Sequence, residues 1–197
     1  CKFAVNKNNA IRFGMGAIKG VGRSAVETIV EDRKKNGPYR SVFDLAKRVD
    51  LRAANKKSFE NLTLAGGFNS FSDTHRAQYF HHDGDGISFL EKTIKYGAKY
   101  QENLNSSQVS LFGESSEVQI PEPEVPPCED WGTMEKLRRE KEVVGIYISG
   151  HPLDDFRKEI SSFCNSGVSV FNQLENHVNR ELSVAGVITD VQHRISK

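Results

Sequence analysis

Apolar residues recur at strand and helix spacings along the first third of the chain. Their alternation with polar positions around Asn6–Asn9 predicts a short β-hairpin over residues 2–14. Apolar residues that share one helical face then predict helices over residues 24–35, 42–49 and 56–65. The pattern therefore indicates a small, mainly helical domain.

The pair Gly66-Gly67 at the end of the third predicted helix has two interpretations. It can cap that helix, because glycine adopts the left-handed backbone at which many helices end. It can also form the turn of a second, degenerate hairpin, followed by Phe68 and a helix from about residue 73. No basic residue adjoins these glycines, and the pattern leaves both interpretations open.

The second half of the chain changes character twice. A helix is predicted over residues 87–104, after which residues 114–130 hold six acids, four prolines and no bases. That composition favours an extended, solvated linker. Helical periodicity returns at Thr133, and residues 182–191 have the pattern of a β-strand. Because one strand cannot form a sheet, we expect this strand to belong to a truncated domain.

The most informative local pattern is the run Lys19-Gly20-Val21-Gly22-Arg23-Ser24 at the start of the first helix. Glycine permits positive φ and lets backbone N–H groups approach an anion closely. The first helical turn adds unpaired N–H groups and the positive end of the helix dipole. With Lys19 and Arg23 as flanking charges, the run predicts a hairpin that binds the phosphate backbone of a nucleic acid without reading its sequence.

The charge distribution supports this interpretation. Residues 1–57 contain 14 Lys and Arg against 5 Asp and Glu, although the whole chain has a net charge of only +1. Clustered positive charge is typical of nucleic-acid binders, and here it surrounds the glycine hairpin. Charge alone leaves an ordinary solvated surface equally open.

Composition and failed motifs exclude several other classes of protein. The three cysteines have no CxxC spacing, and no apolar run approaches the roughly 20 residues that cross a bilayer. We therefore expect a cytoplasmic protein without disulfides, zinc or a membrane anchor, and the start at Cys1 suggests a fragment. Gly14-Met15-Gly16 lacks the third glycine of a dinucleotide fingerprint, and residues 81–85 begin a loop that fails the calcium template. No catalytic residue, metal or cofactor is predicted.

A short segment between the long helix and the linker has the character of a docking peptide. It reads Gln108-Val109-Ser110-Leu111-Phe112, with a polar residue first and two apolar residues last. Such a peptide can enter a pocket on a partner in an extended form, at a cost in ordering entropy. From the residues alone, packing of Leu111 and Phe112 on their own domain is the favoured alternative.

Several motifs, in the same order along the chain, resemble the α subunits of bacterial replicative DNA polymerase III, which are C-family DNA-directed DNA polymerases. The resemblance covers nearly the whole chain. The matching runs are residues 11–22, 43–45, 55–57, 64–68 and 140–153. The resemblance implies a mainly α fold of tandem helix-hairpin-helix motifs, with a short N-terminal β-hairpin and a truncated C-terminal OB-fold segment. The implied domains are the end of the fingers (1–17), the tandem helix-hairpin-helix domain (18–105), the peptide and acidic linker (106–130), a helical connector (131–178) and the start of the OB fold (179–197).

The resemblance also implies partners. The first hairpin, together with Gly66 and Gly67, would contact double-stranded DNA, and residues 108–112, which depart from the family peptide only at Val109, would bind the β sliding clamp. The catalytic aspartates and their Mg²⁺ would lie upstream in the parent nucleotidyltransferase, which also contacts other replicase subunits. This segment is then expected to hold DNA and clamp without catalysis. Two alternatives stay open: a helix-hairpin-helix subunit of a repair nuclease or glycosylase, and a stand-alone architectural DNA-binding protein.

Overall fold

The chain begins with a small antiparallel sheet. A computed structural model describes residues 3–109 and 120–195, and in it β1 (Ala4–Val5) pairs with β2 (Ile11–Arg12). The side chain of Asn6 closes the turn by accepting hydrogen bonds from two backbone N–H groups. The predicted hairpin over residues 2–14 is confirmed, although only two residues of each strand pair.

Six α-helices follow among the described residues of the first of two units, which ends at Tyr147. They are α1 (Arg23–Asn36), α2 (Val42–Arg48), α3 (Lys56–Leu64), α4 (Arg76–Phe80), α5 (Phe89–Val109) and α6 (Thr133–Val144). Side-chain caps start two of them, because Ser41 accepts from the N–H of Asp44 and Asn55 accepts from the N–H of Ser58. The mainly helical fold predicted from the sequence is confirmed.

Two helix boundaries differ from the sequence prediction by three residues or more. Helix α4 begins at residue 76 rather than near 73, because the side chain of Gln78 accepts the N–H of His75 and thereby fixes the start of the helix. Helix α5 continues to Val109, five residues beyond the predicted end at Leu104.

The core of the first unit is aromatic, and α5 crosses it against α2. Gly97 makes this crossing close, because a Cβ at that position would lie 2.4 Å from the carbonyl oxygen of Ala46. One turn further along α5, the side-chain amide of Gln101 donates to the carbonyl oxygens of Ala46 and Val49 at 2.9 and 2.8 Å. These bonds satisfy the last carbonyls of α2, which no intrahelical N–H reaches.

The predicted linker over residues 114–130 is described from residue 120 onward, and residues 114–119 lie outside the described residues. Its described part, residues 120–130, which we call the acidic segment, has no helix or strand, but it is not simply solvated. Lys47 Nζ lies 2.8 Å from Glu122 Oε1, and Gln78 Nε2 donates to the carbonyl oxygen of Pro126 at 3.0 Å. Pro126 is itself buried. Prolines cannot form helix or sheet ladders, so the segment stays extended while side chains of α2 and α4 hold it on the first unit.

The second unit, residues 148–197, contains one α-helix among its described residues, α7 (Arg157–Phe163), flanked by 3₁₀ turns at Asp154–Phe156 and Val168–His177. The strand predicted over residues 182–191 is not confirmed. Ser183 exchanges hydrogen bonds with Asn165, but in the described range no backbone pairs with the chain beyond it. A strand needs a neighbouring strand, and the OB-fold segment therefore remains a prediction. No helix within the described residues is long and apolar enough to span a membrane.

We expect Gly97→Ala to destabilise the first unit by about 1–3 kcal/mol, because the added methyl group would press against the backbone of α2. Urea unfolding followed by circular dichroism measures this change. Gly84→Ala is the matched control, since nothing lies within 4 Å of a Cβ there. Equal shifts in the two variants would contradict the close crossing.

Candidate functional site

The first glycine hairpin lies between two buried anchors. Ile18 and Val21 are 9% and 6% exposed and belong to the hydrophobic core. Lys19, Gly20 and Gly22 are exposed. The apolar anchors hold the turn on the domain, and they leave its polar backbone and its lysine at the surface.

The backbone N–H group and the carbonyl oxygen of Lys19 both form hydrogen bonds with residues of two helices. Its N–H donates to the carbonyl oxygen of Val143 at the end of α6, at 2.8 Å. The carbonyl oxygen of Lys19 accepts from the side-chain amide of Asn61 on α3, at 2.5 Å. Helices that lie far apart in sequence therefore fix the orientation of the hairpin from both sides.

The two glycines of the hairpin have different roles. Gly20 has φ +74°, and a Cβ there would lie 2.4 Å from Asn61 Nδ2, so both conformation and packing require glycine. Gly22 has φ −69° and ψ 160°, and a Cβ there would meet only Ser24 Oγ, at 3.9 Å. Of the two glycines, only Gly20 uses the positive φ that glycine permits, and Gly22 is the extended N-cap of α1.

The start of α1 offers unpaired backbone donors. No side chain caps the helix, and the first bond of its ladder runs from the N–H of Val26 to Gly22. Within the described residues, the N–H groups of Gly22, Arg23 and Ser24 have no protein acceptor. A row of free N–H groups at the positive end of a helix can bind an oxyanion.

The flanking cations differ in availability. Arg23 Nε donates to Glu27 Oε1 at 2.7 Å, and this hydrogen bond raises the pKa of the guanidinium. Lys19 is exposed and forms no ion pair with any residue that the structure describes. Of the two predicted phosphate contacts, Lys19 is therefore the freer charge.

Gly66 and Gly67 cap α3. The N–H of Gly66 donates to Thr63 at 3.0 Å and the N–H of Gly67 to Leu62 at 2.7 Å, and Gly66 has φ +79°. This pair of bonds is a Schellman motif, so the capping interpretation is confirmed. Both N–H groups already have acceptors, and a phosphate contact by these glycines stays a prediction without a free donor to support it.

A buried ion pair that sequence reasoning missed lies beneath this second turn. Arg76 Nη1 lies 3.4 Å from Glu140 Oε2, and the two side chains are 7% and 1% exposed. Arg76 also donates to Asn69 Oδ1 at 3.0 Å and to the carbonyl oxygen of Leu64 at 3.1 Å. Its guanidinium occupies the space beside Gly66, where a Cβ would lie 2.2 Å from Nη2. The pair fastens α6 to the end of α3.

The structure only partly covers the predicted docking peptide. Gln108 and Val109 form the last turn of α5, whereas Ser110, Leu111 and Phe112 lie outside the described residues. Among the residues that are described, no group of three His, Cys, Asp or Glu side chains is arranged to hold a metal ion.

A family model and several known proteins match the sequence of this chain. A family model of the helix-hairpin-helix motif matches residues 1–79. The chain is 36% identical over 192 residues to the DNA polymerase III subunit alpha of Campylobacter jejuni, covering 96% of this chain and 15% of that protein. It is 30% identical over 196 residues to the same subunit of Escherichia coli K12, covering 99% of this chain and 16% of that protein.

The chain is a relative of the DNA polymerase III α subunits. A further relative of the same name, from Treponema pallidum, is 37% identical over 150 residues, covering 76% of this chain and 12% of that protein. The chain spans about one sixth of the length of the DNA polymerase III α subunits that it matches over its whole length. The family that its ordered motifs resemble is thereby confirmed.

Sequence reasoning found the hairpin but missed the residues that support it. Asn61 carried no recognisable signal, because it acts through a contact more than 40 positions away. Glu140 and Val143 lie in the run 140–153, which matched the DNA polymerase III α subunits without a role attached to either residue. The polar run Asn55-Lys56-Lys57 was a further hint, because it also matched these subunits without a role attached to it.

We expect Glu140→Ala to destabilise the first unit by about 3–5 kcal/mol, because it would leave the buried guanidinium of Arg76 without its counter-charge. Urea unfolding monitored by the fluorescence of Trp131, the single tryptophan, measures the loss. Glu142→Ala, two residues along the same helix but exposed, should change stability by no more than about 0.5 kcal/mol. A similar loss in both variants would show that Glu140 contributes no more than a surface carboxylate.

Proposed function

We propose that this part of a DNA polymerase III α subunit holds double-stranded DNA through the hairpin Lys19–Ser24, as a non-catalytic grip on the phosphate backbone. The single observation that carries the proposal is that, among the residues described, the N–H groups of Gly22, Arg23 and Ser24 have no acceptor and the nearby Lys19 has no ion-pair partner. Backbone donors and a lysine recognise phosphate and not bases, so the contact is independent of DNA sequence.

The polymerase relatives favour this function over the two alternatives. The relatives named above are all DNA polymerase III α subunits, which supports a replicative context and neither a repair nuclease nor a stand-alone architectural protein. A replicative enzyme must hold every sequence that it has copied. A contact that ignores bases suits that task.

We also propose that residues 108–112 bind the β sliding clamp. The polar-first, apolar-last pattern and its match to the family peptide support this proposal. The position of the peptide supports it too, since its first two residues end α5, and the acidic segment after it is bound to the first unit through Lys47 and Gln78. Such an arrangement ties both flanks of the peptide to the DNA-holding domain.

The DNA grip predicts that Gly22→Asp separates folding from binding. The new carboxylate would cap the free N–H groups of α1 and repel phosphate, so stability should hold or rise by a few tenths of a kcal/mol. DNA affinity should fall about tenfold at low salt. Fluorescence anisotropy with a labelled duplex over a series of salt concentrations measures affinity, and thermal unfolding measures stability.

Gly22→Asn is the matched variant, because it supplies the same cap without the charge. Its affinity should lie between those of the parent and Gly22→Asp. For the parent chain, affinity should fall with salt by a slope of about −0.9 per phosphate contacted. If the affinity for DNA does not change with salt concentration, or if Gly22→Asp binds DNA as tightly as the parent chain, a phosphate grip at this hairpin is refuted.

For the clamp, we expect the double substitution Leu111→Ala and Phe112→Ala to abolish binding, because it removes both apolar anchors of the peptide. Surface plasmon resonance on immobilised β clamp measures this. Leu104→Ala, which removes an exposed leucine of α5 outside the peptide, is the control and should bind as the parent does. Undiminished binding by the double variant would return Leu111 and Phe112 to a purely structural role.

A further inference from the structure

Lys57 lies against the first hairpin, although it is 37 positions away in sequence. A Cβ built on Gly20 would lie 3.3 Å from Lys57 Cε and 3.5 Å from its Cγ, so the aliphatic stem of the lysine runs along the glycine. The ammonium group is bonded to Cε and therefore lies at the edge of the same turn. Lysine commonly buries its stem in this way while its charge stays in water.

Lys57 is exposed, and it forms no ion pair with any side chain in the described part of the protein. Its ammonium group is therefore available to bind an anion. Lys56 differs completely, because its Nζ lies 2.8 Å from Glu91 Oε1 and 3.6 Å from Glu60 Oε1. The hydrogen bond with Glu91 raises the pKa of Lys56. Two adjacent lysines of α3 thus have opposite roles, one in an ion pair and one directed at the hairpin.

Contacts around Lys57 hold its helix to the turn. Asn61, one helical turn further along α3, donates to the carbonyl oxygen of Lys19 at 2.5 Å. Ser58 Oγ lies 3.4 Å from the carbonyl oxygen of Gly20. Since α3 is bonded to the turn at two points, the separation of Lys57 and the hairpin N–H groups is fixed by the fold.

We propose that Lys57 is a further phosphate-binding residue, and that it forms one anion site with Lys19 and the N–H groups at the start of α1. The proposal rests on the DNA grip proposed above. It adds a cation from a second helix, so that a phosphate at the hairpin is contacted from two directions. Asn61 is a positioning residue for this site, because it acts through the peptide of Lys19 and not on the ligand.

The experiment compares Lys57→Ala, Lys56→Ala and Lys19→Ala in the salt dependence of duplex binding. Lys57→Ala should reduce the magnitude of the slope of log affinity against log salt concentration by about 0.9. The affinity of this variant relative to that of the parent should then be about eightfold lower at about 0.1 M salt than at about 1 M salt. Lys56→Ala, whose charge is already paired, should leave the slope unchanged. Lys57→Arg should restore the parent slope, and thermal unfolding checks that all four variants fold.

The outcomes separate this inference from the function on which it rests. If Lys19→Ala reduces the slope and Lys57→Ala matches Lys56→Ala, the grip stands and the role of Lys57 is refuted. If neither Lys19→Ala nor Lys57→Ala changes the slope, the hairpin grip itself fails. A reduced slope for both, with recovery in Lys57→Arg, supports a shared site.

Discussion

Glu140 is fully buried, and a carboxylate in that position is tolerated only opposite a charge that is fixed equally well. Arg76 supplies the charge, and its guanidinium also donates to Asn69 through Nε and to the last carbonyl of α3 through Nη1. The pair is therefore a junction where α6, α3 and the second glycine turn meet. Loss of Glu140 would leave the buried guanidinium of Arg76 without its counter-charge, so this pair favours one position of α6 on the first unit.

The docked α6 then reaches the first hairpin. The last turn of the same helix contains Val143, whose carbonyl oxygen accepts the N–H of Lys19. One helix thus connects the two glycine turns: an ion pair holds it at one, and a backbone hydrogen bond links it to the other. The proposed DNA grip depends on a segment that lies more than 110 positions further along the chain, beyond the docking peptide and the acidic segment.

The two glycine turns differ in their hydrogen bonds, although each contains two glycines close together in the sequence. At Gly66 and Gly67 the N–H groups complete the C-cap of α3, whereas the N–H groups at Gly22 and the first turn of α1 have no acceptor among the described residues. The last carbonyl groups of a helix need hydrogen-bond donors from outside the helix ladder, and at the second turn the N–H groups of Gly66 and Gly67 supply them. The first turn precedes a helix, so its N–H groups have no acceptor among the described residues, and the proposed phosphate contact centres on this turn.

The sequence by itself determined the local elements, the glycine hairpin and the family. Helices α1 to α3 were predictable because periodicity and the caps Ser41 and Asn55 act over a few residues. Tertiary structure alone decided that Lys57 faces the hairpin, that the acidic segment binds Lys47, and that Arg76 meets Glu140. These contacts join residues between 37 and 75 positions apart, and they arise from how whole helices pack, which local periodicity does not encode.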